Sequence, residues 1–492
     1  MTPYILSIDA GTTGITVLVL DHHYNICKKY YKEFTQHYPH PGWVEHDGEE
    51  IWQVTYKLIQ LAFKDNNPGD CAGIGIANQR ETTLIWNRED DQLIHHAIVW
   101  QCKRTHTICQ ELKDAGHETS FKSKTGLVID SYFSGTKIKW LLDNCEGAQE
   151  NAEKGSLAFG NIDSWLLWKL TGGKVHATDF TNASRTLIFN IDNLNWDKEL
   201  LSILKIPVSL LPRILSSCSE FGVTDHELFG ASIPITGIAG DQQAALFGQG
   251  CFNPGESKCT YGTGCFLLTN TGNQRVNSTA GLLTTLACDH NAKPVYALEG
   301  SVFIGGAVIQ WLRDELQLLK HAGDSEKMAE SVPDNHGVVI VPAFAGLGAP
   351  YWDMGARGII TGLTRGSNRN HIVRAALESI AFQVSDLLDA IFQDMDMKLS
   401  TLKVDGGACA NNFLMQFQAD IIHQTIDRPI NIESTALGAG MLAGLGIGFW
   451  SHPQELEAIR KTDRIFKSDM ADIERLALLK AWEIAVKQTK LI

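Results

Sequence analysis

The chain has 492 residues, of which 44% are hydrophobic and 20% are charged, and its formal net charge is −14 at pH 7. This length predicts two to four domains with large cores. The acidic balance argues against nucleic acid or an anionic membrane as a main partner. Eleven cysteines are scattered without a CxxC pair or a zinc-type histidine cluster, which predicts buried thiols in a reducing compartment. With neither a signal-like N-terminus nor a long apolar run, we expect a cytoplasmic protein without a membrane span.

The first half of the chain predicts mixed strands and helices. Residues 4–9 are apolar and β-branched, residues 11–14 read Gly-Thr-Thr-Gly, and residues 15–20 resume the apolar run. Two strand-like runs joined by so short a turn predict a hairpin. Residues 49–64 are predicted to form a helix, with Ile51, Trp52, Tyr56, Ile59 and Leu61 on one face. Strand patterns follow at 73–78 and 82–86.

The second half repeats part of this pattern. Clustered Gly and Pro at 248–258 predict a domain boundary. A strand-like run, a Gly-Thr-Gly turn at 262–264 and another strand-like run then follow. This hints at two related halves. Further on, the sequence predicts a strand at 402–404, a helix at 411–423, a Gly-rich helix packed closely on a neighbour at 435–448, and an amphipathic helix at 471–489.

The two Gly/Thr turns are candidate phosphate sites. Glycines let a backbone approach an anion closely, and the amides of such a turn converge on it. Asp9, directly before the first turn, could hold a hydrated metal ion. The alternative is an ordinary hairpin with Asp as a turn former. Asp405-Gly406-Gly407 followed by Asn411 would bring small residues against a flat ligand such as adenosine.

Two further segments could carry chemistry. Arg80 and Glu81 offer donors and acceptors to a polyhydroxylated ligand, but strand neighbours face opposite sides unless the strand bends, so a surface ion pair is the alternative. Asp241 follows a Gly-punctuated strand and precedes an Ala-rich helix, and it could be a helix cap or a general base. P-loop, dinucleotide and hydrolase motifs are absent.

Several long stretches together are similar to one family, the FGGY carbohydrate kinases, and within it to members that phosphorylate glycerol. The similarity extends from Ile5 to about Val486. It rests on residues 41–47 (PGWVEHD), 78–83 (NQRETT), 98–102 (IVWQC), 132–137 (YFSGTK), 240–248 (GDQQAALFG), 310–314 (QWLRD), 349–353 (APYWD) and 362–378.

The resemblance implies an α/β fold of two actin-like ATPase (ribonuclease H-like) domains facing each other across a deep cleft. Residues 1–250 would carry the substrate and part of the phosphate site, and residues 251–492 the adenine nucleotide. It further implies ATP, Mg²⁺, glycerol as substrate, and self-association as a dimer or tetramer. The residues implied to bind glycerol are Arg80, Glu81, Trp100, Tyr132, Asp241, Gln242 and Phe266, with Asp241 as general base. Those implied to contact ATP are Thr12, Thr13, Gly14, Thr16, Thr263, Gly306, Gln310, Gly407 and Asn411, while Asp9 and Asp241 would lie near Mg²⁺.

The chain departs from the family pattern at the first turn, which commonly reads Asp-Gln-Gly-Thr-Thr-Ser-Ser-Arg. Ala10, Gly14 and Ile15 replace the glutamine and the serines, and Thr16 stands where arginine is expected. One cationic phosphate contact is therefore missing. Ser131 also stands where proline usually precedes the substrate tyrosine.

Two rival interpretations remain at this level. One is another sugar kinase of the same family, acting on a ketopentose or an aldonic acid. The other is a non-catalytic relative that binds nucleotide and a partner protein, which the loss of the arginine at position 16 would allow. Retention of Asp9, Arg80, Glu81 and Asp241 argues against the second.

Overall fold

The computed structural model describes residues 3–395, 399 and 401–489. It has two compact α/β units. The first comprises Met1–Phe252, Thr284–Tyr296 and Ser434–Ile459, and the second comprises Asn253–Leu283, Ala297–Glu433 and Arg460–Ile492. The change of unit after Phe252 falls inside the Gly/Pro-rich stretch. Neither unit is one continuous half of the chain, because two later segments pack with the first.

The first unit contains the following elements. Its strands are β1 (Tyr4–Ala10), β2 (Gly14–Leu20), β3 (Ile26–Glu33), β4 (Glu45–His46), β5 (Cys71–Asn78), β6 (Leu84–Asn87), β7 (Ala97–Ile98), β8 (Leu157–Gly160), β9 (Ala177–Asp179), β10 (Phe189–Asn190), β11 (Asn195–Trp196), β12 (Arg213–Leu215), β13 (Cys218–Val223) and β14 (Pro234–Gly240). Its helices are α1 (Gly48–Asp65), α2 (His106–Asp114), α3 (Glu118–Thr125), α4 (Ser134–Asn144), α5 (Ala148–Glu153), α6 (Ile162–Leu170), α7 (Phe180–Ala183), α8 (Lys198–Leu204), α9 (His226–Phe229) and α10 (Asp241–Gly248), joined from the end of the chain by α15 (Ser434–Gly446) and α16 (Pro453–Ile459).

The second unit is built around a second sheet. Its strands are β15 (Ser257–Tyr261), β16 (Cys265–Gly272), β18 (Val295–Val302), β19 (Val339–Val341), β20 (Ile359–Thr361), β21 (Thr401–Asp405), β22 (Thr425–Pro429) and β23 (Thr462–Phe466). Strand β17 (Leu283–Ala287) and the first two residues of β18 pair in this sheet, although all of them except Leu283 fall in the segment Thr284–Tyr296 of the first unit. Its helices are α11 (Ala307–Asp314), α12 (Asp324–Glu330), α13 (Arg369–Met395), α14 (Asn412–Ile422) and α17 (Asp472–Thr489).

The two large sheets share one arrangement of strands. The first runs β13-β14-β5-β1-β2-β3 and the second β17-β18-β16-β15-β21-β22-β23. In the first sheet, β1 and β2 form an antiparallel hairpin, and β1 also pairs in parallel with β5. In the second sheet, β15 and β16 form the same kind of hairpin, and β15 pairs in parallel with β21. The echo between the halves is therefore a repeated topology, with a Gly/Thr turn at the same place in each sheet.

Helix α1 shows how local sequence sets an element. Asp47 caps it by accepting the amide of Glu49 at 2.9 Å, and Glu49 and Glu50 complement the positive end of the helix dipole. Its apolar side covers the first sheet within a core that also contains α6. Leu61, predicted on the buried face, is 42% exposed instead, because the helix buries the Leu58 side of that turn.

Three parallel strands of the first sheet end level with one another. β1 and β14 both run parallel to β5, and Asn78 pairs in register with Ala10 on one side and Gly240 on the other. The carboxyl ends of parallel strands are where open α/β sheets place their ligands. This register brings the segments that follow Asp9, Asn78 and Gly240 to one edge of the sheet.

Helix α15 confirms the prediction of a Gly-rich helix packed closely on its neighbours. A Cβ added to Gly438 would lie 1.9 Å from the carbonyl oxygen of Ala244 in α10, and one added to Gly75 in β5 would lie 2.0 Å from that of Ala439. Thr236 donates to the carbonyl of Ala443 at 2.9 Å. The helix backbone thus rests directly on the sheet and on α10, with no room for side chains at these crossings.

All eleven cysteines are free and most are buried. None of the helices in the described part of the chain has the length and apolar character that spanning a bilayer requires.

The packing of α15 predicts the effect of Gly438→Ala. In an exposed helix interior, alanine is more stable than glycine by about 1 kcal/mol. At position 438, however, the new Cβ would lie 1.9 Å from the Ala244 carbonyl oxygen, so α15 and α10 would have to move apart. We expect a net loss of about 1–3 kcal/mol of unfolding free energy, measured by denaturant unfolding. Gly69→Ala is the matched control, because its added Cβ meets ordinary contacts from 3.5 Å outwards. A variant at Gly438 as stable as the control would contradict this packing.

The buried carboxyl of Asp163 predicts a pH dependence. Burial raises its pKa to about 7, the hydrogen bond from Thr178 lowers it, and Asp179 raises it. In an unfolded chain the group titrates near 3.9, so between about pH 4 and pH 7 the folded state holds a proton that the unfolded state releases. Stability should therefore fall as pH rises through this window, by at most about 4 kcal/mol from this group.

Asp163→Asn removes this titration while keeping the size of the side chain. We expect the variant to gain melting temperature relative to the parent as pH is raised from about 4 to about 8, the window set by the two pKa values. Parallel melting-temperature profiles for the two proteins would show that Asp163 stays ionised in the fold.

Candidate active site

The chain bends sharply where β5 ends, and this bend places Arg80 and Glu81. Glu81 has a φ of 60°, in the left-handed region, and the amide of Thr82 bonds the carbonyl of Arg80 at 2.7 Å. Both side chains are buried, at 2% and 1% exposure. Arg80 and Glu81 are therefore not a surface ion pair. The chain also bends at these residues, as it must if both side chains are to reach one ligand.

Four charged side chains form one buried network at this edge of the sheet. Arg80 Nε lies 3.2 Å from Asp241 Oδ1 and 3.8 Å from Glu81 Oε1. Arg185 Nε donates to Glu81 Oε1 at 2.6 Å. Two arginines thus face two carboxylates, so each buried charge is compensated. Arg185 was not predicted, because nothing in its local sequence marks it.

Asp241 is the first residue of α10 and not its cap. Gly240 occupies the cap position, and no side chain caps that helix end. The Asp241 carboxylate accepts the amide of Gln242 at 2.7 Å as well as Arg80, and its side chain keeps 25% exposure. The cap interpretation is therefore wrong. Asp241 is thus a partly exposed carboxylate whose orientation is fixed by an arginine and a main-chain amide.

Aromatic side chains close the same cluster. Arg80 donates to the Tyr132 hydroxyl at 3.3 Å and to Gln243 Oε1 at 3.1 Å. The Trp100 and Tyr132 rings meet edge to face, with centroids 5.6 Å apart and an angle of 73° between their planes. Trp100 Nε1 also donates to Thr12 Oγ1 at 3.0 Å. This contact ties the polar cluster to the first Gly/Thr turn.

Side-chain hydrogen bonds to main-chain carbonyls hold the first Gly/Thr turn in place. Gln36 donates to the carbonyl of Thr12 at 3.0 Å, and Gln79 donates to that of Gly11 at 3.1 Å. His46 lies between these glutamines, 2.7 Å from Gln36 Oε1 and 3.3 Å from Gln79 Nε2, and burial lowers its pKa to about 3 so that the ring is neutral. Carbonyls anchored inward fix the conformation of the turn.

Asp9 and Thr16 face each other across β1 and β2. They are direct partners in the antiparallel register, and Thr16 also pairs with Tyr31 of β3. Thr16 is 7% exposed. The residue at the position of the expected arginine is therefore packed inside the sheet beside Asp9. Gly14 is required sterically, because an added Cβ would meet the Tyr31 ring and the Lys32 carbonyl at 2.8 Å.

The second unit contains a cavity of about 420 Å³. One wall is formed by the second Gly/Thr turn and the start of α11. Main-chain hydrogen bonds join the two: the Gly306 amide donates to the Gly262 carbonyl and the Gly305 amide to the Thr263 carbonyl, both at 2.8 Å. Asn411 caps α14 by accepting the amide of Leu414 at 2.9 Å. The predicted nucleotide residues that line the cavity are Thr263, Gly306, Gln310, Gly407 and Asn411.

The remaining lining of this cavity suits a flat, partly apolar ligand. Ile309, Leu377, Ile380 and Leu414 supply apolar surface, and Glu326 supplies a carboxylate. Small-molecule sites commonly combine an apolar lining with a few polar groups. The sequence analysis assigned none of these five residues to a ligand. Only Leu377 lies in a family-like stretch, 362–378, and that stretch gave it no role.

The comparisons with known proteins agree with this architecture. The model of the FGGY family of carbohydrate kinases matches with its N-terminal domain at residues 4–248 and its C-terminal domain at residues 257–447. The chain belongs to the FGGY family of carbohydrate kinases.

Individual relatives are similar over almost the whole chain. A glycerol kinase of Carboxydothermus hydrogenoformans is 59% identical over 490 residues, covering 99% of this chain and 98% of the relative. Glycerol kinase 2 of Thermotoga maritima is 54% identical over 488 residues, covering 99% and 98%. The crystal structure of Plasmodium falciparum glycerol kinase with ADP superposes with a TM-score of 0.93 at 40% identity, covering 99% of this chain and 98% of that one.

A more distant FGGY structure shows the fold alone. Gluconate kinase from Lactobacillus acidophilus superposes with a TM-score of 0.88 at 24% identity, covering 100% of this chain and 98% of that one. The two-domain α/β architecture expected for this family is therefore confirmed.

The structure groups most of the residues that the FGGY resemblance picked out. Arg80, Glu81, Trp100, Tyr132 and Asp241 are linked in the first unit by the contacts described above. Phe266 belongs to the second unit, in β16, where its carbonyl accepts Lys258 Nζ at 3.4 Å. Its packing against a substrate stays a prediction.

Proposed function

We propose that this FGGY kinase transfers the γ-phosphoryl group of ATP to glycerol, giving sn-glycerol 3-phosphate and ADP. The observation that carries the proposal is the buried cluster of Arg80, Glu81, Tyr132 and Asp241, which combines donors and acceptors over a small volume. The names of the most similar relatives support the choice of glycerol among the polyols.

Glycerol offers three hydroxyls and little apolar surface, so its recognition must rest on paired hydrogen bonds. A site whose buried polar groups lose their partners with the wrong ligand discriminates strongly. Arg80 would donate to glycerol, Glu81 and Asp241 would accept, and Tyr132 and Gln242 can do either. Trp100 would pack on the carbon skeleton, as would Phe266.

Asp241 is assigned as the general base. As the glycerol oxygen attacks the γ-phosphorus, its proton passes to the Asp241 carboxylate while the bond from phosphorus to the ADP oxygen breaks. Arg80 and the Gln242 amide hold Asp241 Oδ1, at 3.2 and 2.7 Å. The carboxylate is thereby oriented before the reaction. Such positioning is a large part of catalysis in phosphoryl transfer.

For the nucleotide, we infer that adenosine occupies the cavity of the second unit, against Gly306, Gln310, Gly407 and Asn411. Thr263 in the second turn would contact phosphate oxygens. In the first turn we assign phosphate contacts to Thr12, Thr13 and Gly14, and a neighbouring contact to Thr16. The ADP in the similar Plasmodium falciparum structure supports adenine nucleotide as the donor.

Mg²⁺ is proposed near Asp9 and Asp241. No group of three or more His, Cys, Asp or Glu side chains placed to hold a metal occurs within residues 3–395, 399 and 401–489. Two carboxylates are nevertheless a suitable donor set, because Mg²⁺ prefers oxygen ligands and usually keeps several waters and substrate phosphates. When bound, it neutralises charge on the phosphates.

Two broader expectations accompany this function. We propose self-association as a dimer or tetramer, to be measured by light scattering, and a cytoplasmic location, to be measured by fractionation. The first rests on the family resemblance, and the second on the cysteines, which are present as thiols, as is typical of a reducing compartment.

The substrate proposal predicts a ranking of acceptors. With ATP and Mg²⁺ in a coupled assay of ADP release, we expect the highest kcat/KM for glycerol, lower values for dihydroxyacetone and glyceraldehyde, and poor use of pentuloses and gluconate. Removing Mg²⁺ with a chelator should abolish turnover, and adding it back should restore it. A higher kcat/KM for a five-carbon sugar or an aldonic acid would reject glycerol as the substrate.

The base assignment predicts the effect of Asp241→Asn. Losing a general base should lower kcat by about 10²–10⁴-fold, while glycerol binding stays measurable by calorimetry. Asp225→Asn is the matched control, because Asp225 also stands at a helix start, where it accepts the amide of Glu227 at 3.1 Å. That control should keep kcat. Near-normal turnover in a folded Asp241→Asn protein would reject the assignment.

A further inference from the structure

Lys137 is a buried cation that the proposed reaction does not use. It lies on α4, in the segment 132–137, with no exposed surface. Its Nζ donates to the carbonyl of Glu81 at 3.2 Å and to the carbonyl of Tyr132. The ammonium thus donates to two main-chain oxygens, and both belong to residues of the proposed glycerol site.

The Glu81 carbonyl is an unusually crowded acceptor. Besides Lys137 it accepts Ser134 Oγ at 3.2 Å and Thr83 Oγ1 at 2.9 Å. Glu81 itself has a φ of 60°. A non-glycine residue in that conformation costs free energy and persists only when its surroundings hold it there. Three donors on one carbonyl are such a restraint.

The charge makes Lys137 costly to keep. Burying an ammonium disfavours its ionised form, and burial lowers the pKa of Lys137 to about 8, with Glu81, Cys102, Asp130 and Cys109 opposing that shift. An apolar side chain at this position would avoid that cost, but it would take one donor away from each of the two buried carbonyls. A costly group retained beside a ligand site is a candidate for a role in that site.

We propose that Lys137 is a positioning residue for the acceptor substrate: it fixes the main chains of Glu81 and Tyr132 relative to each other, and so sets the side-chain geometry that binds glycerol. This inference rests on the proposed function. Glu81 follows the end of β5, and Tyr132 precedes α4, so these residues come from separate segments of the chain. The ammonium donates to both carbonyls and so links the two segments directly.

The substitution Lys137→Met distinguishes a positioning role from a merely structural one. Methionine keeps roughly the length of the side chain and removes its charge and its hydrogen-bond donors. We expect KM for glycerol to rise about tenfold, equivalent to about 1.4 kcal/mol. KM for ATP should stay near the parent value, and circular dichroism should show that the variant still folds. Lys139→Met is the matched control, because Lys139 lies on the same helix and pairs with Asp143 at 2.7 Å. It should leave both KM values unchanged.

A folded Lys137→Met enzyme with unchanged KM for glycerol would overturn the proposal. So would equal losses in both KM values together with a lower melting temperature, because they indicate general damage. If Lys137→Met does not fold, Lys137→Gln is measured instead, because its amide is neutral and lies one bond nearer the main chain than the ammonium. An unchanged KM for glycerol in that variant would overturn the proposal as well. Failure of the proposed function is seen separately, in the unmodified enzyme. If that enzyme prefers another polyol, the same comparison is made with that polyol.

Discussion

The register of three parallel strands is the constraint on which the candidate site depends. β1, β5 and β14 end level, with Asn78 between Ala10 and Gly240. Each strand is followed by a segment with a different chemical character. A Gly/Thr turn follows β1, the Arg80–Glu81 bend follows β5, and Asp241 at the head of α10 follows β14. A slip of one residue in β5 would turn its buried side chains to the opposite face, and it would also misalign these segments.

Charge compensation is the second condition. Two buried arginines, the buried carboxylate of Glu81 and the partly exposed carboxylate of Asp241 meet at this edge, and their opposite charges compensate one another. Removing one member would leave a buried charge without its partner, which costs far more than the pair contributes. The four residues come from three distant parts of the sequence. The fold must therefore be complete before the network forms, and the network in turn holds Arg80 and Asp241 in fixed orientations.

Local features of the site were predictable and distant contributions were not. The hairpin around 11–14, the buried strand before Asp405 and the Gly-rich helix α15 follow from turn chemistry and periodicity, and the structure confirms them. The sequence shows that Arg80 and Glu81 can reach one ligand only if the strand bends, but it does not show that the strand does bend. The bend requires a positive φ at Glu81, and a glutamate at this position does not indicate one. Arg185, Lys137, Gln36 and Glu326 reach their positions through long-range packing. Nothing in the sequence around Arg185, Gln36 and Glu326 distinguishes them from ordinary polar residues. Lys137 ends the family-like stretch 132–137, but that stretch gave it no role of its own.

Helix α15 explains why the strand ends can stay aligned. Glycines on both sides of the contact let its backbone approach the sheet, at Gly75 in β5 and Gly237 in β14. Ser7 in β1 and Thr236 in β14 donate hydroxyls to carbonyls of this helix. Backbone contacts this close leave little freedom for one strand to slide against another, since interiors packed at this density resist deformation. The same helix contacts α10 through Gly438 and Gly248, so the helix that starts at Asp241 is fixed to the same support as the strands. A segment near the end of the chain thereby maintains the alignment of residues from its beginning and its middle, which accounts for its place in the first unit.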